Sequence, residues 1–80
     1  MNRPQIFRAI EAERERQDNK FPGQWLGKMT YGLRLAILTE EVGEVARAIL
    51  EQGADSRGQD LETELVQVAA VCVAWLESMK

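Results

Sequence analysis

The sequence has 80 residues, with ten lysines and arginines against thirteen acidic residues, one cysteine and no histidine. This length allows one small domain, 1–80, whose core would be marginal alone. The composition excludes an internal disulfide, a zinc site made of histidines or of a cysteine cluster, and a histidine general base. A net charge of -3 argues against binding to nucleic acid polymers. Carboxylates that hold a metal, or self-association, remain as sources of extra stability.

Hydropathy bears on the location of the protein. The opening stretch, MNRPQIF, lacks the apolar core of a signal peptide. The longest nearly apolar run, 65–76, is shorter than the roughly 20 residues that cross a membrane. Together with a cysteine that has no partner in the chain, these features predict a cytoplasmic protein without membrane contact.

Breaker residues divide the chain into three helical segments. Segment one covers about 4–18, with Asn2 as the expected N-cap and Pro4 in the first turn. Its apolar residues have helical spacing: Ile6, Phe7 and Ile10. The stretch that follows, ERERQDNK, has no core face and is typical of a solvated helix end.

The stretch FPGQWLGK, at 21–28, is predicted to be a loop. Its aromatic rings either stack on a flat ligand or tuck beneath the helices, and we expect them to tuck. Segment two covers about 30–52 and segment three about 59–79, with Asp60 as a candidate N-cap. No strand alternation occurs, so the predicted fold class is all-α.

Two carboxylates of segment two lie at the edge of its apolar face. On a helical wheel one apolar arc contains Leu35, Leu38, Val42, Val45, Ala46 and Ile49. Glu41 lies at the edge of this arc, and Glu44 lies beside it at i+3. Glu40, Arg47 and Glu51 fall well away from the arc and are expected to be solvated.

Segment three places polar residues within an apolar face. That face contains Leu61, Val68, Val71, Cys72, Trp75 and Met79. Glu64 lies at its middle and Gln67 near one edge, while Cys72 is expected to be a buried core thiol. Because Gln67 is the only polar residue in 65–76, the helix should be buried on more than one side. We expect another subunit to cover the second side.

A buried carboxylate without a partner costs several kcal/mol, so Glu64 needs an explanation. In one interpretation it forms an ion pair with Arg34 or Arg47. In the other, Glu64 converges with Glu41 and Glu44 on a cation that offsets their mutual repulsion. Mg²⁺ suits such a set, since it prefers oxygen ligands and keeps waters that substrate phosphates can replace.

The stretches LTEEVGEVARAI and ETELVQVAAVCVAWLE resemble the MazG-like proteins, which belong to the all-α nucleoside triphosphate pyrophosphohydrolase superfamily. The family pattern is ExxE on one helix and ExxD on the next. Here it reads Glu41-Val42-Gly43-Glu44 and then Glu64-Leu65-Val66-Gln67. The upstream stretch AERERQDNKF also resembles the family, so the similarity spans about 10–77.

The resemblance implies a three-helix subunit that forms a four-helix-bundle-type core, completed by oligomerisation as a homodimer or a dimer of dimers. It implies Mg²⁺-dependent hydrolysis, with Mn²⁺ as an alternative, of a nucleoside triphosphate to a monophosphate and pyrophosphate. Carried over, Glu41, Glu44 and Glu64 are catalytic metal ligands, and Gln67 occupies the fourth metal position.

The same resemblance assigns substrate contacts to the loop before the motif: Lys20, Phe21, Gln24 and Trp25. Because an acidic site repels an anionic substrate, Lys20 or Arg14 is expected to neutralise phosphate oxygens. One departure from the family stands out, since Gln67 replaces an Asp and carries no charge. The alternative function is therefore a weak or inactive MazG-like module that binds nucleotide or serves as a helical interaction partner.

Overall fold

The computed structural model describes residues 1–23, 29–52 and 59–79, without the side chains of Gln52, Gln59 and Asp60. These residues form three helices, α1 (Arg3–Lys20), α2 (Tyr31–Gln52) and α3 (Gln59–Ser78), and none of them is in a strand. The predicted all-α class is confirmed. Over this part of the chain no helix is both long and apolar enough to pass through a bilayer.

α1 begins with a capping box. The Asn2 side chain accepts a hydrogen bond from the Gln5 backbone N–H at 3.0 Å, and Gln5 Oε1 accepts one from the Asn2 N–H at 2.8 Å. This confirms the expected N-cap, which is worth about 1 kcal/mol. The helix continues to Lys20 and is followed by Gly23, whose φ of 72° lies in the left-handed region that glycine tolerates.

The other helices begin close to where the sequence predicts. The Thr30 hydroxyl accepts a hydrogen bond from the Leu33 N–H at 3.1 Å, which caps α2. α3 begins at Gln59, so Asp60 lies within the first turn of the helix instead of preceding it. Both long helices agree with the expected segments to within one residue.

α3 packs against both other helices, whereas no Cα atom of α1 lies within 8 Å of one in α2 among the described residues. The start of α2 lies beside the end of α3, since the Tyr31 and Trp75 rings are 6.0 Å apart, so these two helices run antiparallel. The first residues of α1 lie beside the first turns of α3, and Arg14 pairs with Glu77 near its end, so α1 runs parallel to α3. α1 and α2 of the same chain thus pack on two sides of α3.

The core along α3 is narrow and made of small side chains. Within 1–23, 29–51 and 61–79 the buried apolar residues are Ala48, Ala70, Val71 and Ala74, and none of the large side chains there is fully buried. Cys72, predicted to be a core thiol, is exposed, as is Met79. That prediction was wrong because these two residues lie on the side of α3 that faces neither α1 nor α2.

The apolar arc of α2 is divided between the inside and the outside of the molecule. Leu38 and Val45 are half-buried, but four other members of the arc are exposed: Leu35, Val42, Ala46 and Ile49. We call these four residues the outer stripe. α3 contacts the neighbouring side of α2, which carries Glu41 and the buried Ala48. The sequence predicts that one side of α2 faces the core. The side that packs inward lies further toward Glu41 than the apolar residues indicate.

Candidate functional site

Glu41 lies at the centre of the side of α2 that faces α3. Glu41 is half-buried, and so are its neighbours one turn away, Ile37, Leu38 and Val45, while Ala48 two turns on is buried. The sequence predicts Glu41 at the edge of an apolar face, and in the structure it lies within the contact between α2 and α3. A charge placed there must be offset by a partner or held at a cost.

Glu64 faces the same contact from α3. Its Oε2 atom is buried and accepts no hydrogen bond from any described residue. Native proteins leave few buried polar atoms in this state, and such an atom often marks a site for a ligand or an ion. The sequence prediction of a carboxylate within the core face of segment three is confirmed.

The electrostatic surroundings of Glu41 are acidic. Burial raises the pKa of the Glu41 carboxyl, and the negative charges of nearby carboxylates raise it further: Glu64, Glu40, Glu44 and Glu13. Like charges disfavour ionisation because each carboxylate meets the field of the others. Four of these five carboxylates are at least half-buried, while Glu40 is exposed as expected.

The other two predicted metal ligands, Glu44 and Gln67, lie at the borders of this carboxylate cluster. Glu44 is half-buried and pairs with Arg47 of the next turn, with 3.4 Å between Oε1 and Nη2. Gln67 is half-buried one turn after Glu64. Arg47 and Glu51 are exposed, as expected.

The two arginines considered as partners of Glu64 are engaged elsewhere. Arg34 donates a hydrogen bond to the Ser78 hydroxyl, and its guanidinium lies 5.7 Å from the centre of the Tyr31 ring. Ser78 is fourteen residues after Glu64, which corresponds to about 21 Å along α3. Arg47 pairs with Glu44. None of these described contacts involves Glu64.

The described side chains do not form a finished metal cage. Among these residues, no three acidic or cysteine side chains lie close enough together to hold one metal ion. The all-oxygen donor set and the buried Oε2 of Glu64 nevertheless fit Mg²⁺ chemistry. Ligation by Glu41, Glu44 and Glu64 therefore requires that their side chains converge further than they do in this structure.

α1 contributes a polar cluster that the sequence interpretation missed. The Glu13 carboxylate accepts two hydrogen bonds from Arg16, at 2.8 and 2.7 Å, and one from Gln17 at 3.1 Å. The Arg16 guanidinium thereby lowers the pKa of the Glu13 carboxyl. Glu13 and Gln17 continue the spacing of Ile6 and Ile10 along one side of the helix, which was the available signal. The expectation of a solvated helix end holds for most of 13–20, but not for Glu13, Arg14 and Gln17, which are half-buried.

Arg14, a predicted phosphate contact, joins α1 to α3. Its Nε donates to Glu77 at 3.0 Å, its Nη2 to Asp18 at 2.8 Å and its Nη1 to Gln17 at 3.0 Å. Glu77 lies thirteen residues after Glu64, or about 20 Å along the helix. Arg14 thus links α1 to the C-terminal end of α3, far from Glu64.

The predicted loop contacts are described only in part. Lys20 ends α1, and its Nζ lies 5.4 Å from the centre of the Phe21 ring. Phe21 is exposed, so it does not tuck beneath the helices as expected. Gln24 and Trp25 lie outside the described residues.

A cavity of about 590 Å³ lies between α1 and α3. Its polar lining comprises Glu13 and Arg16 of α1 and Glu62 and Thr63 of α3. This volume is within the range of small-molecule sites. Comparisons with protein-family models, curated proteins and solved structures gave no match.

Proposed function

We propose that this protein is a Mg²⁺-dependent nucleoside triphosphate pyrophosphohydrolase. The proposal combines the resemblance to MazG-like proteins with one observation, the carboxylate of Glu64 that is buried beside Glu41 without a hydrogen-bond partner for Oε2. The reaction adds water across the bond between the α and β phosphates, and it yields a monophosphate and pyrophosphate.

In this proposal Glu41, Glu44 and Glu64 hold the metal, with the Gln67 carbonyl at its margin. Bound Mg²⁺ would neutralise charge on the phosphate oxygens and orient the triphosphate. The carboxylates orient the attacking water and accept its proton. Burial raises the pKa of Glu41 and so brings this carboxylate nearer the range in which a general base is effective. Mn²⁺ offers the same coordination chemistry.

A substrate panel tests the activity. Purified protein is incubated with each common ribo- and deoxyribonucleoside triphosphate and Mg²⁺ or Mn²⁺, and pyrophosphate release is measured. We expect release from at least one nucleotide, and a loss of at least about 100-fold in Glu64→Gln. The matched control is Glu51→Gln, because Glu51 is exposed on α2 and does not line the cavity. Absence of release from every nucleotide at high enzyme concentration would refute the proposed reaction.

A second candidate function is nucleotide binding without turnover. The observation that favours it is the half-buried Gln67, which carries no charge where the family pattern has a carboxylate. Calorimetric titration with nucleotide and Mg²⁺ distinguishes the two. Binding without pyrophosphate release would assign a sensor or interaction module, and Gln67→Asp would then be expected to increase metal affinity.

We also propose that the protein associates with itself through the outer stripe of α2. In the described part of the chain, thirteen large apolar side chains are between 38% and 81% exposed. The accessible surface of the chain is 5907 Å², whereas about 4,900 Å² is expected for a folded monomer of 9.1 kDa. The excess of about 1,000 Å² is close to what one partner loses in a standard interface. Leu35, Val42 and Ile49 are seven residues apart, a spacing typical of helix-to-helix seams.

The proposed association is a homodimer or a dimer of dimers, completing a four-helix bundle. An exposed thiol at Cys72 agrees with a reducing compartment such as the cytoplasm.

A further inference from the structure

The proposed reaction requires a cationic side chain beside the carboxylates, because a triphosphate is itself polyanionic. Two arginines at the contacts between the described helices already bind other side chains. The Arg14 side chain is 11% exposed between Asp18 and Glu77, and Arg34 is 3% exposed beside Ser78. The phosphate-binding group should therefore be sought among the exposed arginines.

Arg16 is exposed, lines a cavity and lies within the electrostatic influence of Glu41. Its side chain is 55% exposed, and it lines the cavity of about 590 Å³ between α1 and α3. Nε and Nη2 of its guanidinium bind the two oxygens of Glu13, whose side chain is 12% exposed. The bonded Glu13 carboxylate raises the pKa of Arg16, and the charge of Glu41 adds to this effect. Arg16 thus lies within electrostatic reach of the proposed metal ligands.

We propose that Arg16 binds phosphate oxygens of the substrate at this cavity, exchanging the Glu13 carboxylate for the incoming anion. The inference rests on the proposed function, because it names the protein cation of the same site. Guanidinium groups bind carboxylates and phosphates through the same paired N–H geometry, so the fork that now binds Glu13 can bind a phosphate. Glu13 acts as the internal competitor that keeps Arg16 in place when no substrate is bound.

The exchange breaks one ion pair within α1. Arg16 is 55% exposed and its described hydrogen bonds are to Glu13, so its guanidinium can turn toward an incoming phosphate. Glu13 keeps the hydrogen bond that it accepts from Gln17. Arg47 is the other exposed arginine near the site, but its contact with Glu44 is longer, at 3.4 Å, and it does not line the cavity.

The experiment titrates inorganic triphosphate with Mg²⁺ into the full chain by calorimetry. We expect Arg16→Gln to weaken triphosphate binding by about tenfold or more, and Arg16→Lys to recover only part of it. The matched control is Arg8→Gln, an exposed arginine two turns earlier on α1. Circular dichroism verifies that each variant keeps its helix content.

Glu13→Gln provides a test with the opposite sign. If Glu13 competes for Arg16, removing its charge should tighten triphosphate binding. If the pair only stabilises α1, Arg16→Gln and Glu13→Gln would change binding in the same direction, which would overturn the inference.

Activity separates this inference from the proposed reaction. If the wild type releases pyrophosphate but Arg16→Gln keeps the wild-type KM and triphosphate affinity, the inference is wrong and the reaction stands. If no nucleotide is hydrolysed but Arg16→Gln selectively loses triphosphate binding, the reaction is wrong and the phosphate-binding role stands. Absence of any triphosphate binding by the wild type would also overturn the inference.

Discussion

Glu64 holds a carboxylate oxygen within the α2–α3 contact, where neither solvent nor a described donor reaches it. Glu41 lies near it on the facing helix, and the charge of Glu64 raises the pKa of the Glu41 carboxyl. Two carboxylates held this close destabilise the metal-free protein, and a bound cation would offset that cost. Stability measured without metal therefore reports directly on the role of each residue.

The first prediction concerns Glu64→Gln in EDTA. We expect the free energy of unfolding to rise by about 1 kcal/mol, because the change removes a buried charge near Glu41. Urea unfolding followed by circular dichroism measures it. Glu62→Gln serves as control and should stay within about 0.5 kcal/mol of the wild type. A loss of about 1–3 kcal/mol would instead show that Glu64 has a cationic partner.

The second prediction concerns pH. Because the pKa of Glu41 is raised on folding, this group favours the folded state most below its unfolded pKa of about 4.5. That contribution is lost as pH rises through the raised value. In EDTA, Glu41→Gln should therefore be more stable than the wild type at pH 8, and the difference should shrink as pH falls toward 5. Urea midpoints across this range measure it, and a difference that grows on acidification would contradict the assignment.

The described helices follow closely from local sequence. Pro22 and Gly23 interrupt the helical pattern after α1, and the Asn2 and Thr30 side chains cap helix starts. The side of α2 that packs inward could not be read in the same way. Its apolar arc is wider than α3 can cover, so periodicity indicates the direction of burial but not which edge receives the neighbouring helix.

The candidate site was predictable to a similar degree. Glu41, Glu44 and Glu64 stand out because charged residues interrupt apolar faces. Glu13 and Arg16 do not stand out, because they lie in a stretch where nearly every residue is charged or polar. Their positions depend on how α1 crosses α3, which is a tertiary property that composition does not encode.

The third prediction concerns α2 itself. Gly43 lies in the helix interior, and a Cβ atom placed there would meet nothing within 4 Å. Gly43→Ala should therefore stabilise the protein by about 0.5–1 kcal/mol through helix propensity. Thermal unfolding at fixed protein concentration measures the gain. Gly32→Ala, two residues after Thr30 at the helix start, should give a smaller gain. Destabilisation at Gly43 would show that a second chain approaches the helix there.

At the scale of the whole molecule, the three helices expose more surface than a compact chain of their mass. The outer stripe of α2 and the exposed side of α3 contain much of it: Leu35, Val42, Ile49, Leu65, Leu76 and Met79. Many exposed large apolar side chains on two neighbouring helices favour association in soluble proteins. The missing part of the core would then come from a second copy.

The fourth prediction tests that assembly. Val42→Asp places a charge on the outer stripe and should shift the protein from oligomer to monomer in sedimentation velocity. Leu33→Asp is the matched control, since Leu33 and Val42 are both 51% exposed on α2 and only Val42 belongs to the stripe. Equal effects of the two changes, or a wild type that is monomeric at high concentration, would contradict the proposed surface.

The central position of α3 also affects how the chain is made. α1 and α2 are synthesised before α3, and no described Cα atom of α1 lies within 8 Å of one in α2, so each leaves the ribosome before the helix on which it packs. Both amphipathic helices depend for burial on residues 59–79, which emerge after them. We expect nascent chains that stop before α3 to remain uncompacted and sensitive to protease, with cooperative folding beginning once the third helix is released.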